Sequence, residues 1–107
     1  MDNIDRIFEA LSSTPRRKIL SYLSATSLTA GEIAERFDMS KPALSKHLKI
    51  LQTAGLVISE KKGQYMHYSL NRDNLVTSLH DFTANFCPVA SGIKKESKHI
   101  ADSDQGH

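Results

Sequence analysis

Two short stretches concentrate the residues able to do chemistry. The first, Ser40-Lys41-Pro42-Ala43-Leu44-Ser45-Lys46-His47-Leu48-Lys49, mixes cations and hydroxyls with small side chains; the second, Lys61-Lys62-Gly63-Gln64, is cationic around a glycine. Neither holds the parts of a catalytic site. The chain has no glycine-rich phosphate loop and no Cys-His pair with a supporting acid, so an enzyme is not expected. What these residues do well is meet a polyanion. Lysine pairs with phosphate oxygens, and lysine, serine and histidine also hydrogen-bond to base edges. From Ser40 to Gln64 five cations (Lys41, Lys46, Lys49, Lys61, Lys62) stand against one acid, Glu60, whereas the formal net charge of the chain is only +2. The middle is basic and the flanks are on balance acidic. A charge run is equally a solvated face, so its meaning depends on the elements that carry it.

Ser40 sits where a helix N-cap is wanted, with Pro42 in the first turn, where a missing N–H does no harm. At about 100° per residue, Leu44, Leu48 and Leu51 share one narrow arc, while Pro42, Ser45, Lys46, Lys49 and Thr53 lie opposite. The apolar arc faces a core, and the outward strip is slim enough to enter the DNA major groove. Lys41, Ala43, Ser45 and Lys46 are the expected inner contacts, Pro42 lies beside them, and Lys49 serves the phosphate backbone. His47, at the margin of the apolar arc, reads equally as an edge-packed side chain or a DNA contact.

The flanking elements follow from periodicity and caps. Ile4, Ile7, Phe8 and Leu11 form one stripe of a first helix that stops at Ser12-Ser13. Thr14 reads as the N-cap of a second helix, with Pro15 at its first position and Ile19, Leu20 and Leu23 on its buried side. Arg16, Arg17 and Lys18 crowd its first turn against the helix dipole, which suits either an anionic partner or a solvated turn. Thr29-Ala30-Gly31-Glu32 has capping-box spacing and opens a short helix through Ile33, Ala34 and Phe37. About three residues then separate it from the Ser40 helix, the spacing of a helix-turn-helix. After the stop Ala54-Gly55, Val57–Lys61 and Gln64–Leu70 read as a hairpin joined through Lys62-Gly63, whose Lys61, Lys62 and Gln64 can straddle a phosphate ridge. Asn71 caps a last helix with a heptad-like seam of Leu75, Leu79, Phe82 and Phe86, ended by Pro88. The fold class is therefore mainly α with a small β-hairpin (α+β), a winged helix-turn-helix over residues 1–88. Residues 89–107 lack periodicity and read as a C-terminal extension, frayed or disordered.

Composition agrees with one small domain: 107 residues, 39% hydrophobic and 24% charged. No apolar run nears the roughly 18 residues of a membrane span. The acidic N-terminus is unlike a secretory signal, and the single cysteine, Cys87, agrees with a reducing compartment, so a cytoplasmic location is expected.

The order helix, helix, helix-turn-helix, wing, helix resembles the winged-helix repressors of the ArsR/SmtB family over residues 4–87. The stretches that carry the likeness are 13–20 (Ser13-Thr14-Pro15-Arg16-Arg17-Lys18-Ile19-Leu20), 40–51, Ala54-Gly55-Leu56-Val57, and Lys62-Gly63-Gln64 with Tyr68-Ser69-Leu70. Within the family the chain looks most like the autorepressor branch. The resemblance implies a homodimer that represses transcription on double-stranded DNA. Ile4, Ile7, Phe8 and Leu11 would then meet Leu75, Leu79, Phe82 and Phe86 across a two-fold axis, on a palindromic operator, with repression by exclusion of polymerase. The family also contains metal sensors, whose pattern Asp-x-His followed by His-x-x-Glu, set from Asp73, falls here on Leu75, Phe86 and Val89. The cysteines of its other metal site are replaced by Leu28, Thr29 and Ala30. His67, His80, His99 and His107 form no i, i+4 pair, so no metal and no cofactor is expected. Cys87 reads as a buried thiol or as a redox switch through an intersubunit disulfide. A winged-helix module for an acidic protein, a thiol- or metal-responsive sensor, and control by a regulatory protein partner are the competing readings.

Overall fold

Helix caps and apolar spacing partition the chain much as its periodicity predicts. The computed structural model describes residues 2–87, which form α1 (Asn3–Leu11), α2 (Thr14–Leu23), β1 (Leu28–Thr29), α3 (Ala30–Ala34), α4 (Lys41–Thr53), β2 (Val57–Lys62), β3 (Tyr65–Leu70) and α5 (Arg72–Ala84). Pro88 and the expected extension 89–107 lie outside the described residues. The chain divides into two units, Met1–Leu75 and Val76–His107. Among the described residues no helix is long and apolar enough to cross a membrane.

The core of the first unit gathers Ile7 and Ala10 from α1, Ile19, Leu20 and Leu23 from α2, Leu28 from β1, Ile33 from α3, Leu44, Leu48 and Leu51 from α4, and Leu56 and Val57 beyond it. Ile7 is 0% exposed, so it belongs to this core and not to the subunit contact expected of it. A four-residue stripe spans a wide arc, and its middle faces inward while Phe8, at 41% exposure, looks out.

The junction between α1 and α2 differs from the sequence reading in two respects. Ser13 caps α2, its hydroxyl accepting from the Arg16 N–H, and Thr14 is already helical. Either placement leaves Pro15 among the first four donors, which have no intrahelical partner, so the proline does not discriminate between them. In the basic first turn of α2, two of the three cations are engaged by the preceding helix. Arg16 donates to the Glu9 and Ala10 carbonyls and Arg17 to the Leu11 carbonyl at 2.6 Å. These cations add to the capping of the negative end of α1, where the Ser12 N–H and hydroxyl also donate to the Glu9 carbonyl.

Thr29 and Glu32 form the expected capping box: the Thr29 hydroxyl accepts from the Glu32 N–H at 3.2 Å, and the Glu32 carboxylate accepts from the Thr29 N–H at 2.9 Å. That Thr29 N–H, and then the hydroxyl, hold the Glu32 carboxyl below its ordinary pKa. Regular helix ends at Ala34 and not at Phe37, because Arg36 and Phe37 donate to Ile33 and Ala34, three residues back, tightening the chain into turns. There the Phe37 ring stands edge-on to Tyr22 of α2 at 5.6 Å, and the Arg36 guanidinium lies over the same Tyr22 ring.

The sheet has the order β1-β3-β2, all antiparallel. Its third strand, the pair Leu28–Thr29 opposite Tyr68 and His67, is too short for alternation to reveal. Lys62 pairs with Tyr65, so the turn is Gly63-Gln64 and not Lys62-Gly63. Gly63 has φ +65° and no other residue type among those described has positive φ, the pattern of a type II′ turn.

α4 ends in a Schellman motif. Gly55 (φ +76°) donates to the Gln52 carbonyl, and Leu56 donates to that of Leu51, its fully buried neighbour. Asn74 covers the motif, its Nδ2 donating to the Gly55 carbonyl at 2.8 Å, while the Asn71 side chain caps the start of α5 by accepting from the Asn74 N–H. In the second unit the Phe82 and Phe86 rings pack at 5.2 Å, and Val76, Phe82 and Phe86 are exposed.

A Cβ on Gly55 would stand 2.8 Å from Asn74 Nδ2, whereas one on Gly63 meets nothing within 4 Å. Gly63→Ala should therefore cost about 1 kcal/mol, from the left-handed backbone alone. Gly55→Ala should cost more, about 2–3 kcal/mol, as that strain and a clash combine. Urea unfolding of both variants checks the order, and an equal or reversed ranking contradicts it.

Candidate nucleic-acid interface

The site is built on α4. The Ser40 hydroxyl accepts from the Ala43 N–H at 3.3 Å, which starts the helix where Lys41 and Pro42 become its first residues. Leu44, Leu48 and Leu51 are buried, and this fixes what turns outward: Lys41, Pro42, Ser45, Lys46, Lys49 and Thr53 are all exposed. Ala43 and His47 are half-buried on the flank. The exposed strip carries three ammonium groups and two hydroxyls, with no carboxylate among them.

The wing is tied to this helix. Gln52 of α4 donates through Nε2 to the Ser59 hydroxyl of β2 at 2.9 Å. Lys61, Lys62 and Gln64 are exposed around the turn. Tyr65, opposite Lys62, is 58% exposed and lines a groove with Ala30, Gly31 and Ala34 of α3 and Lys41, Leu44 and Ser45 of α4. Tyr65 was not among the residues expected at the interface. Its signal in the sequence is an aromatic directly after a cationic turn, a position that strand alternation alone leaves unassigned. Lys49 lines a different groove, with Arg6 and Glu9 of α1 and Ile50, Thr53 and Ala54 of its own helix.

His47 proves to be engaged with Arg16. Its Nδ1 lies 3.2 Å from Arg16 Nη1. Burial lowers its pKa from the ordinary value, and the Arg16 guanidinium and Lys46 ammonium lower it further. Among the described residues no three His, Cys, Asp or Glu side chains converge on a metal-sized site, and Cys87 is a half-buried free thiol. Of the residues expected at a subunit contact, Phe8, Phe82 and Phe86 are exposed, whereas Ile4, Leu11, Leu75 and Leu79 are half-buried.

A short helix, a turn, an outward-facing cationic helix and a basic wing define a winged helix-turn-helix of the nucleic-acid-binding kind. The pattern of the family described as "Bacterial regulatory protein, arsR family" matches residues 13–59, from the cap of α2 into β2. The chain is 44% identical over 77 residues to the transcriptional repressor SdpR of Bacillus subtilis (strain 168), spanning 72% of this chain and 86% of that protein. It is 35% identical to an arsenical resistance operon repressor of Staphylococcus aureus, over 85% of this chain and 91% of that one. An ArsR-like transcriptional regulator from Rhodococcus sp. RHA1 has the same fold, with TM-score 0.75 and 27% identity, over 96% of this chain and 91% of the other. The chain belongs to the ArsR family, whose members are DNA-binding transcriptional regulators and not enzymes.

The lowered pKa of His47 has a consequence for folding. Above the ordinary histidine value, 6.5, the ring is neutral in both states and the linkage is silent. As pH falls below it, the unfolded chain takes up the proton first and stability drops until the lowered folded pKa is passed. Urea midpoints measured across this window should fall more steeply in the wild type than in His47→Gln; parallel curves would refute the assignment.

Proposed function

We propose that this protein is a sequence-specific transcriptional repressor that binds a palindromic operator as a homodimer and excludes polymerase from it. The observation that carries the reading is the outward strip of α4, three lysines and two serine or threonine hydroxyls opposite a buried leucine stripe. Lys41, Pro42, Ala43, Ser45 and Lys46 line the major groove, with His47 at their flank. Lys49, Lys61, Lys62 and Gln64 hold the sugar-phosphate backbone. Two relatives that carry the name repressor support this direction of control. Residues 1–88 supply both binding and dimerisation, with 89–107 as an extension, and the protein works in the cytoplasm without a cofactor.

Dimerisation is supported by apolar side chains that are exposed among the described residues. Phe8 on α1 and Val76, Phe82 and Phe86 on α5 are exposed, and Phe86 reaches 65%. A two-fold axis would bring equivalent patches together and aim two α4 helices at one side of a duplex, with half-site centres about 10 bp apart or a multiple of that.

Selection from a random duplex library, followed by footprinting, tests the reading: one dyad-symmetric sequence should emerge. Lys46→Ala should lose about 1–3 kcal/mol at particular base positions, whereas Lys62→Ala should weaken all sequences alike and reduce the salt slope by about one. Equal losses on selected and random DNA for both variants would contradict the division of roles. Tight binding that survives several-fold more salt without preference among duplexes would instead identify a module for acidic proteins.

A further inference from the structure

Arg16 joins two helices that both pack against its own. Its Nε donates to the Ala10 carbonyl at 2.8 Å and its Nη2 to the Glu9 carbonyl at 3.0 Å, at the open end of α1, while Nη1 approaches His47 Nδ1 on α4. A guanidinium has donors and no acceptor, so Nδ1 must be bare and the ring proton must sit on Nε2. Among the described residues that Nε2 has no hydrogen-bond partner, and no side-chain nitrogen or oxygen there is both buried and unpaired. The Nε2–H donor is therefore not sealed away from solvent, and His47 itself is half-buried on the flank of α4.

We propose that Arg16 is a positioning residue for DNA recognition: its fork between α1 and α4 selects the Nε2–H tautomer of His47 and aims that donor at an acceptor atom of the duplex, a phosphate oxygen or a base edge. The inference rests on the reading of α4 as the recognition helix. An unrestrained imidazole divides its proton between two nitrogens, and only one form can donate in the required direction. The carbonyls of α1 make the restraint firm, because they hold the guanidinium plane from the opposite side. The charged groups acting on the ring are Arg16 from α2 and Lys46 from α4. α1 brings carbonyl oxygens, not a carboxylate, to the guanidinium. A proton on Nδ1 would expel Nη1, and with Nε2 also protonated it would set two cations against each other.

Nitrogen NMR of the imidazole-labelled full chain reads the tautomer without DNA, and binding is then measured on a duplex selected by the wild-type protein and on random-sequence DNA. Wild type should show a single Nε2–H tautomer. Arg16→Met, and Arg16→Lys, which keeps the charge but not the fork, should both show mixed tautomers and lose about tenfold in affinity. A loss on the selected duplex alone assigns the acceptor to a base edge, and a loss on both DNAs assigns it to phosphate. Arg17→Met, which removes the Leu11 carbonyl bond, controls for lost helix capping: its melting temperature should fall while the His47 tautomer stays single. An unchanged tautomer in Arg16→Met, or mixed tautomers with undiminished affinity in both Arg16 variants, overturns the inference. Failure of the wild type to select any duplex would instead overturn the repressor reading, which separates the two.

Discussion

The burial of Leu44, Leu48 and Leu51 governs what the rest of the molecule can do. A helix held by one apolar arc has a fixed rotation about its axis, so sealing these three side chains decides that Lys41, Ser45, Lys46 and Lys49 look outward together. Everything packed around α4 makes that rotation definite. Ile33 of α3 and Leu20 of α2 fill the same core, the Schellman motif at Gly55 stops the helix, and the Gln52–Ser59 bond ties it to the wing. Rotating the helix far enough to hide its cations would expose three leucines at about 1.5–3 kcal/mol each.

Much of this was legible because the signals are local. A Thr-x-x-Glu box, a serine before Lys-Pro, and a glycine after the last apolar residue each act within a few residues of backbone, and each is found where the sequence puts it. The sequence alone failed where geometry depends on distant partners or very short elements. β1 is two residues long and exists because β3 offers it an edge. The Arg16 and Arg17 cluster looked like a feature of α2, yet besides Thr14 of that helix its partners include carbonyls of the preceding helix and a ring 31 positions downstream. The turn shifted by one residue because Gly63 is wanted at the first central position of a type II′ turn, not the second. Ile7 belongs to the core because a stripe of four residues is wider than the surface shared with any one neighbour.

Family membership and the physical reading meet at α4 and part at α5. The matched pattern ends at residue 59, inside the wing, so it says nothing of the apolar residues that follow. Those residues are where the sequence departs from the metal-sensing pattern, with Leu75 and Phe86 at positions that carry histidine there. Leucine and phenylalanine side chains offer no donor atom to a metal at these two positions.

The two-residue turn sets a rule for how the wing can change. Along a strand, side chains alternate faces, so one residue added to β3 alone would invert every position from there to the tip and swing Tyr65 away from α3 and α4. Matched additions, one in each strand, preserve the pairing but also reverse the facing of whatever lies at the tip. Lengthening that keeps both the register and the orientation of the tip therefore comes in steps of two residues per strand, each extending the reach by about 7 Å. The wing is a ruler with coarse divisions, and any relative that spans a wider stretch of duplex with the same tip chemistry must differ from this one by a whole division.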